Sequence, residues 1–172
     1  GSAGKLKGHK FSLYEGGMRV PGIIHWPTRI PGGQVLNEPC AAMDVFPTFL
    51  NVAGGDATRY EVDGVDLMPY LTAGTAPEER SIFWEMGKQT AVRRGPWKLV
   101  LDGQLVEGAP PEDQIHLANL AEDMAEQHNL HDRHPELTAA LKSEAESWRA
   151  GIEERWEREY SAKKQGTVTH RQ

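Results

Sequence analysis

Hydrophobic positions change their spacing along the chain, and each change predicts a different element. Residues 1–19 carry five glycines and no apolar period, which reads as loop. From Met18 to Trp26 an apolar run (Val20, Ile23, Ile24) predicts a strand buried on both faces. A turn cluster, Pro27-Thr28-Arg29-Ile30-Pro31-Gly32-Gly33, ends it. Phe46, Phe49, Leu50 and Ala53 then fall at helical spacing, with Asp44 placed to cap, Pro47 in the tolerated first turn and Gly54-Gly55 at the end. Asp66-Leu67-Met68-Pro69-Tyr70-Leu71 repeats that arrangement, closed by Gly74. Both aspartates read as helix caps rather than catalytic carboxylates.

Polar residues 75–80 mark the best internal boundary, and beyond them the period shortens to that of strands. Ile82-Phe83-Trp84, Thr90-Ala91-Val92-Arg93 and Trp97-Lys98-Leu99-Val100-Leu101 predict three short strands, the last two joined by a turn at Arg94-Gly95-Pro96. Asp102-Gly103 signals a hairpin leading into Gln104-Leu105-Val106, and residues 109–113 form an exposed loop. After His134-Pro135 the spacing becomes helical to about residue 160, with Leu137, Ala140, Leu141, Ala145, Trp148, Ile152 and Trp156 in one stripe and charged residues on the solvated side. Residues 161–172 are polar and expected to fray.

Composition narrows the function classes. In 172 residues, 38% are hydrophobic and 26% charged, which suits one globular domain with or without a small appendage. A net charge of −6 without a basic run argues against a nucleic-acid partner. No stretch reaches the ~20 apolar residues of a membrane span. The single cysteine, Cys40, excludes an internal disulfide and, among Pro39, Ala41, Ala42 and Met43, reads as a small core residue. The seven histidines lack the partners of a zinc site, even where His128, His131 and His134 are close in sequence.

The candidate chemistry lies near the start. Lys10 stands between a glycine- and lysine-bearing lead-in and the turn Glu15-Gly16-Gly17, where glycine permits close backbone approach. It reads either as part of a loop feeding a strand or as a fixed cation presented to an anion. His9 is a candidate to line the same site, and a Glu15–Arg19 pair is expected to brace the turn. Arg93 and Lys98 read as solvated strand charges, with substrate contact as the alternative.

These residues also carry a resemblance. Lys10-x-x-x-Tyr14-Glu15-Gly16-Gly17-x-Arg19-Val20-Pro21, then Trp26-Pro27-x-Arg29-Ile30-Pro31, closely resembles the second half of the type I, arylsulfatase-like sulfatases. The likeness continues through Met43–Leu50, Val62–Leu67 and Ala91–Leu99. It persists in the frame Leu117-Ala118-Asn119-Leu120, Asp123, Glu126 and Asn129-Leu130, although Ala118 and Met124 stand where the family carries tyrosine and proline. The resemblance implies that Lys10 is a catalytic, substrate-binding residue that contacts the sulfate, with His9 beside it. It implies the C-terminal part of an alkaline-phosphatase-like α/β enzyme. Residues 1–75 would end the large catalytic domain, 76–160 would form a small α+β domain with an antiparallel sheet and long helix, and 161–172 a polar tail.

The family's nucleophile is a formylglycine made from the cysteine of Cys-x-Pro-x-Arg, or a serine in its place, and its metal is Ca2+ held by Asp and Asn side chains. Cys40 lacks that context, and the ligands would lie upstream. The implied partners are therefore a sulfate-ester substrate and a missing N-terminal catalytic portion, with this chain inactive alone and export expected by family analogy. Two alternatives stand beside this reading: a phosphoryl-transfer member of the same superfamily, and a free-standing, non-catalytic interaction module.

Overall fold

The computed structural model describes residues 2–161, which form two compact units. Residues up to Arg19 belong with those from Ser81 onward, and Val20–Arg80 form the other unit. The division at residue 75 that the sequence suggests remains a proposal.

The first unit is built on a four-stranded antiparallel meander in the order β1-β2-β3-β4: Ser81–Met86, Gln89–Arg94, Trp97–Gly103 and Asp113–Asn119. Short turns at residues 87–88 and 95–96 join the first three strands. Strand β3 runs through Gly103 instead of turning at Asp102, and its partner β4 arrives after a loop over 104–112. The hairpin strand expected at Gln104-Leu105-Val106 does not form. Leu105 and Val106 are exposed there, so pairing them would bury nothing.

Alternation along the strands sends residues to two covers. Val92, Leu99, Leu101 and Leu117 pack with Leu141 and Ala145 of helix α4, Pro135–Trp156. Burying each such leucine contributes about 1.5–3 kcal/mol. Trp148 stacks on Phe83 at 5.0 Å and 10°. The expected stripe is therefore present but narrower, because Ala140 and Trp156 are exposed. Arg149 leaves the solvated face that its charge suggested. Its guanidinium donates to the carbonyls of Gly87, Lys88 and Gln89 and to Thr90 Oγ1, closing the β1–β2 turn.

The second cover is the segment 2–19, where Leu13 and Tyr14 pack with Ala91 and Val100. This explains why Gln89–Val92 are buried without interruption. Within the segment, Glu15–Met18 make a single helical turn, α1.

In the second unit, α2 (Val45–Val52) and α3 (Met68–Ala73) accompany a small core of Ile30, Leu67 and Leu71. Asp66 caps as expected, accepting from Met68 N–H at 2.8 Å, and Gly74 closes α3 at φ 69°. Asp44 stands at the N-cap position of α2, but its side chain makes no capping bond to that helix and ties other segments together instead. It is fully buried and accepts from Ala41 N–H (2.7 Å), Val65 N–H (3.0 Å) and Arg80 Nη2 (2.6 Å). Burial by itself would raise this carboxyl, and Arg80 with the two amides outweighs it, so the pKa lies below the ordinary value.

Two expectations fail here, the strand over Met18–Trp26 and the core placement of Cys40. No strand forms over Met18–Trp26, where Val20 and Ile23 are 78% and 93% exposed. Among the described residues no neighbouring strand pairs with it, and a lone strand leaves its backbone groups unpaired. Phe46 and Phe49 lie on the helix predicted for them but face outward. Cys40 is exposed rather than in a core, its thiol 3.5 Å from the Glu38 carbonyl. The expected fraying from residue 162 onward lies outside the described residues.

Candidate functional site

The loop that carries His9 and Lys10 is held from three sides. The first is its own return turn. Gly16 N–H donates to Lys7 O at 2.8 Å and Ser12 N–H to His9 O at 2.9 Å. A Cβ on Gly16 would collide with Gly8 O, and one on Gly17 with Ser12 O. Glycine is required at both positions by close approach of backbone to backbone.

The second hold is Gln89, at the start of β2. Its side chain donates from Nε2 to Phe11 O at 3.0 Å, while Oε1 accepts from Leu13 N–H at 3.3 Å and Gln104 N–H at 2.9 Å. The third is a buried ionic group. Lys98 Nζ lies 3.0 Å from both Glu15 Oε1 and Glu126 Oε1, and Glu126 Oε2 accepts from Glu15 N–H at 2.6 Å. The Lys98 and Glu126 side chains are 0% exposed and that of Glu15 5%. The expected Glu15–Arg19 pair is present at 3.4 Å, as the outer part of this group. Burial pushes the Glu126 carboxyl above its ordinary pKa despite Lys98 and the Glu15 amide.

Tyr14 supports the loop from below, fully buried with Lys7 Nζ 4.6 Å above its ring and His116 edge-on at 5.2 Å. Burial, with Asp113, Glu112 and Glu126 nearby, pushes the Tyr14 hydroxyl far up, so it is a neutral phenol at all physiological pH. Burial also lowers the His116 imidazole, against the raising effect of Asp113 at 2.8 Å. A neutral His116 then donates from Nδ1 to that carboxylate.

On this platform Lys10 and His9 are both exposed. The Lys10 ammonium rests 4.8 Å from the Phe11 ring centroid and, among the described residues, has no ion-pair partner. A cation on a fixed loop without an internal anion is available to an external one. Lys98, expected as a solvated strand charge or a substrate contact, is instead the centre of the ionic group. Arg93 donates to Gly95 O at 3.1 Å, across the β2–β3 turn.

Neither Gln89 nor Glu126 is marked in the sequence as a support of the Lys10 loop, and Lys98 is marked only as a strand charge with substrate contact as the alternative. One signal was available: strand alternation puts Lys98 on the same face as Val100, which is inward. Among the described residues no three His, Cys, Asp or Glu side chains converge as metal ligands, so this stretch does not fit a calcium site. Nor does Cys40 fit a nucleophile: although the residue is exposed at the surface, partial desolvation of its thiol and then the nearby Asp44 carboxylate push the thiol up, away from the reactive thiolate.

Comparison with known proteins places this arrangement in a family. Residues 8–151 match the family described as N-sulphoglucosamine sulphohydrolase, C-terminal, and the chain belongs to it. Human steryl-sulfatase is 49% identical over 72 residues, 41% of this chain and 12% of that protein. Canine N-acetylgalactosamine-6-sulfatase is 35% identical over 99 residues, 57% of this chain and 19% of that one. The chain thus spans less than a fifth of these relatives. The crystal structure of Ps i-CgsB in complex with k-i-k-neocarrahexaose superposes with a TM-score of 0.68 at 30% identity, over 83% of this chain and 31% of that one. A Bacteroides thetaiotaomicron glycosaminoglycan-metabolism protein shares the fold at a TM-score of 0.69 and 21% identity, over 85% of this chain and 32% of that one. The alkaline-phosphatase-like class expected from the sequence is the class of these neighbours, here as a four-stranded antiparallel sheet with a long helix.

Proposed function

We propose that this chain is the C-terminal part of a sulfatase that hydrolyses sulfate esters, and that Lys10 grips the sulfate. The observation that carries the reading is the unpaired, exposed ammonium of Lys10 on a loop fixed by Gln89 and the Glu15–Lys98–Glu126 group. Ester hydrolysis at sulfur needs a nucleophile, a cation for the anionic group and a proton donor for the leaving oxygen. Lys10 supplies the cation, and its hold strengthens as closure of the site excludes water. His9 lines the same site.

The family's Ca2+ and formylglycine nucleophile belong, in this reading, to an N-terminal catalytic portion outside this chain, which is inactive alone. Residues 1–75 end the catalytic domain and 76–160 form the small domain. The exposed Val20, Ile23, Phe46 and Phe49 support this division, since apolar surface of that kind is normally covered. The names of the relatives favour an aryl or steryl sulfate or a sulfated sugar as substrate. By the same family analogy the enzyme is exported.

Replacing Lys10 with Ala in the longer enzyme should lower turnover more than about ten-fold while leaving the melting temperature near that of the parent. Unchanged kinetics would refute the role. Assaying phosphate beside sulfate esters separates this reading from a phosphoryl-transfer enzyme. Turnover of a sulfate ester at all removes the non-catalytic module.

A further inference from the structure

We infer that Gln89 is the positioning residue for Lys10, setting where the ammonium meets the sulfate; the inference rests on the sulfate-binding reading of Lys10. Gln89 is 2% exposed, and its carboxamide bridges two backbone positions of the Lys10 loop, accepting from Leu13 N–H and donating to Phe11 C=O. Between those anchors and Lys10 sits a strained residue. Phe11 has φ 74°, the left-handed region, at a cost of about 1–3 kcal/mol for a side chain other than glycine. Such a conformation persists only where neighbours impose it. Gln89 Nε2 is the side-chain group that holds the Phe11 carbonyl, the bond immediately after the strained φ.

If Phe11 relaxed to negative φ, the Lys10–Phe11 peptide would turn, and the Lys10 side chain would leave the Phe11 ring that now lies 4.8 Å from its Nζ. Gln89 in turn has little freedom. Its main-chain carbonyl accepts from Arg149 Nη1 at 3.1 Å, and Oε1 is shared with Gln104 N–H. A rigid line therefore runs from helix α4 through the β1–β2 turn to the residue beside Lys10. Gln89 itself touches no substrate in this arrangement and acts only through the loop.

A double-mutant cycle in the longer sulfatase tests this, with a chromogenic aryl sulfate and a sulfated hexosamine as probes. Gln89→Met keeps most of the volume and removes every side-chain hydrogen bond. It should lower kcat/KM by about ten- to a hundred-fold when Lys10 is present. Where Lys10 is already Ala, the further loss should be within about two-fold, because a residue acting through Lys10 has nothing left to position. Equal losses in the two backgrounds mean that Gln89 merely supports the fold, and overturn the inference. So does a harmless Q89M beside a damaging K10A. A harmless K10A, or failure of the parent enzyme to turn over either probe, removes the sulfate reading first and the positioning role with it. If Q89M does not fold, Gln89→Glu keeps the acceptor for Leu13 and Gln104 and loses the donor to Phe11, and the same cycle is read with the same criterion.

Discussion

Replacing Lys98 with Met would leave two buried carboxylates, Glu15 and Glu126, without the ammonium 3.0 Å from each. Breaking one partner out of a buried ion pair costs about 3–5 kcal/mol. A limit on the loss comes from Glu126 itself, which can take up a proton instead of remaining an unpaired anion. Protonating a glutamate of ordinary pKa about 4.3 at pH 7 costs about 1.36 kcal/mol per pH unit, or about 3.7 kcal/mol. The expected loss at pH 7 is therefore about 3–4 kcal/mol, a shift of the urea midpoint by about 1–4 M.

The pH dependence follows from the direction of the Glu126 shift. A carboxyl whose folded pKa is raised stabilises the fold fully below its unfolded pKa, and that contribution is lost as pH rises through the folded value. Burial is the largest cause of the raised value, and Lys98 the largest opposing one. Without Lys98 the folded pKa climbs further. The difference between variant and parent should then shrink as pH falls from 7 to 5, by at most about 1.4 kcal/mol for each pH unit. Urea unfolding of both proteins at the two pH values measures this. A loss below about 1 kcal/mol at pH 7, or an equal loss at pH 5, would refute the account of Lys98 as an obligatory counter-ion.

Two further outcomes follow from the geometry. Asp44→Asn should cost about 2–3 kcal/mol at pH 7, since the amide cannot accept the charge-assisted bond from Arg80 and two N–H groups. The Asp44 carboxyl has a depressed pKa, so its contribution is present above the ordinary value near 3.9 and is lost as pH falls through the lower folded value. Acid titration of unfolding should accordingly show a flatter limb below pH 4 in D44N than in the parent, and parallel limbs would contradict it. Gly17→Ala should cost about 1–3 kcal/mol by driving its Cβ into the Ser12 carbonyl; an unchanged melting temperature would show that the loop yields freely.

What the sequence revealed depended on how locally each feature is determined. The first three strands and helix α4 were legible because alternation and helical spacing are written over a few neighbouring residues. Glycine 74 and Asp66 were legible for the same reason, since cap and helix adjoin. The hidden features join distant positions. Lys98 meets Glu15 83 residues away, and Glu126 meets the Glu15 amide across 111. A lysine between Trp97 and Leu99 looks solvated until its carboxylates are known. Gln89 carried no signal, because a lone glutamine at a strand start has many uses. Met18–Trp26 had the composition of a buried strand, but composition does not supply a neighbour to pair with. In α2 the period predicted the helix correctly but does not say which side is covered, since burial depends on what lies opposite Phe46 and Phe49.

The long separation between Glu15 and Glu126 also sets an order of events during synthesis. The segment 2–19 leaves the ribosome before any strand beneath it exists, and its amide anchor at Glu126 follows 111 residues later. At about 5–20 residues per second that interval is roughly 6–22 s. For most of it Leu13 and Tyr14 have no sheet to cover them, because Ala91 and Val100 are not yet made, and the Lys10 loop lacks its anchor at Glu126 to the end. The meander, whose strands are joined by near neighbours, can assemble first and then receive the segment as its last layer. A nascent-chain crosslink from Tyr14 to the sheet should therefore appear only once β2 and β3, which carry Ala91 and Val100, have emerged.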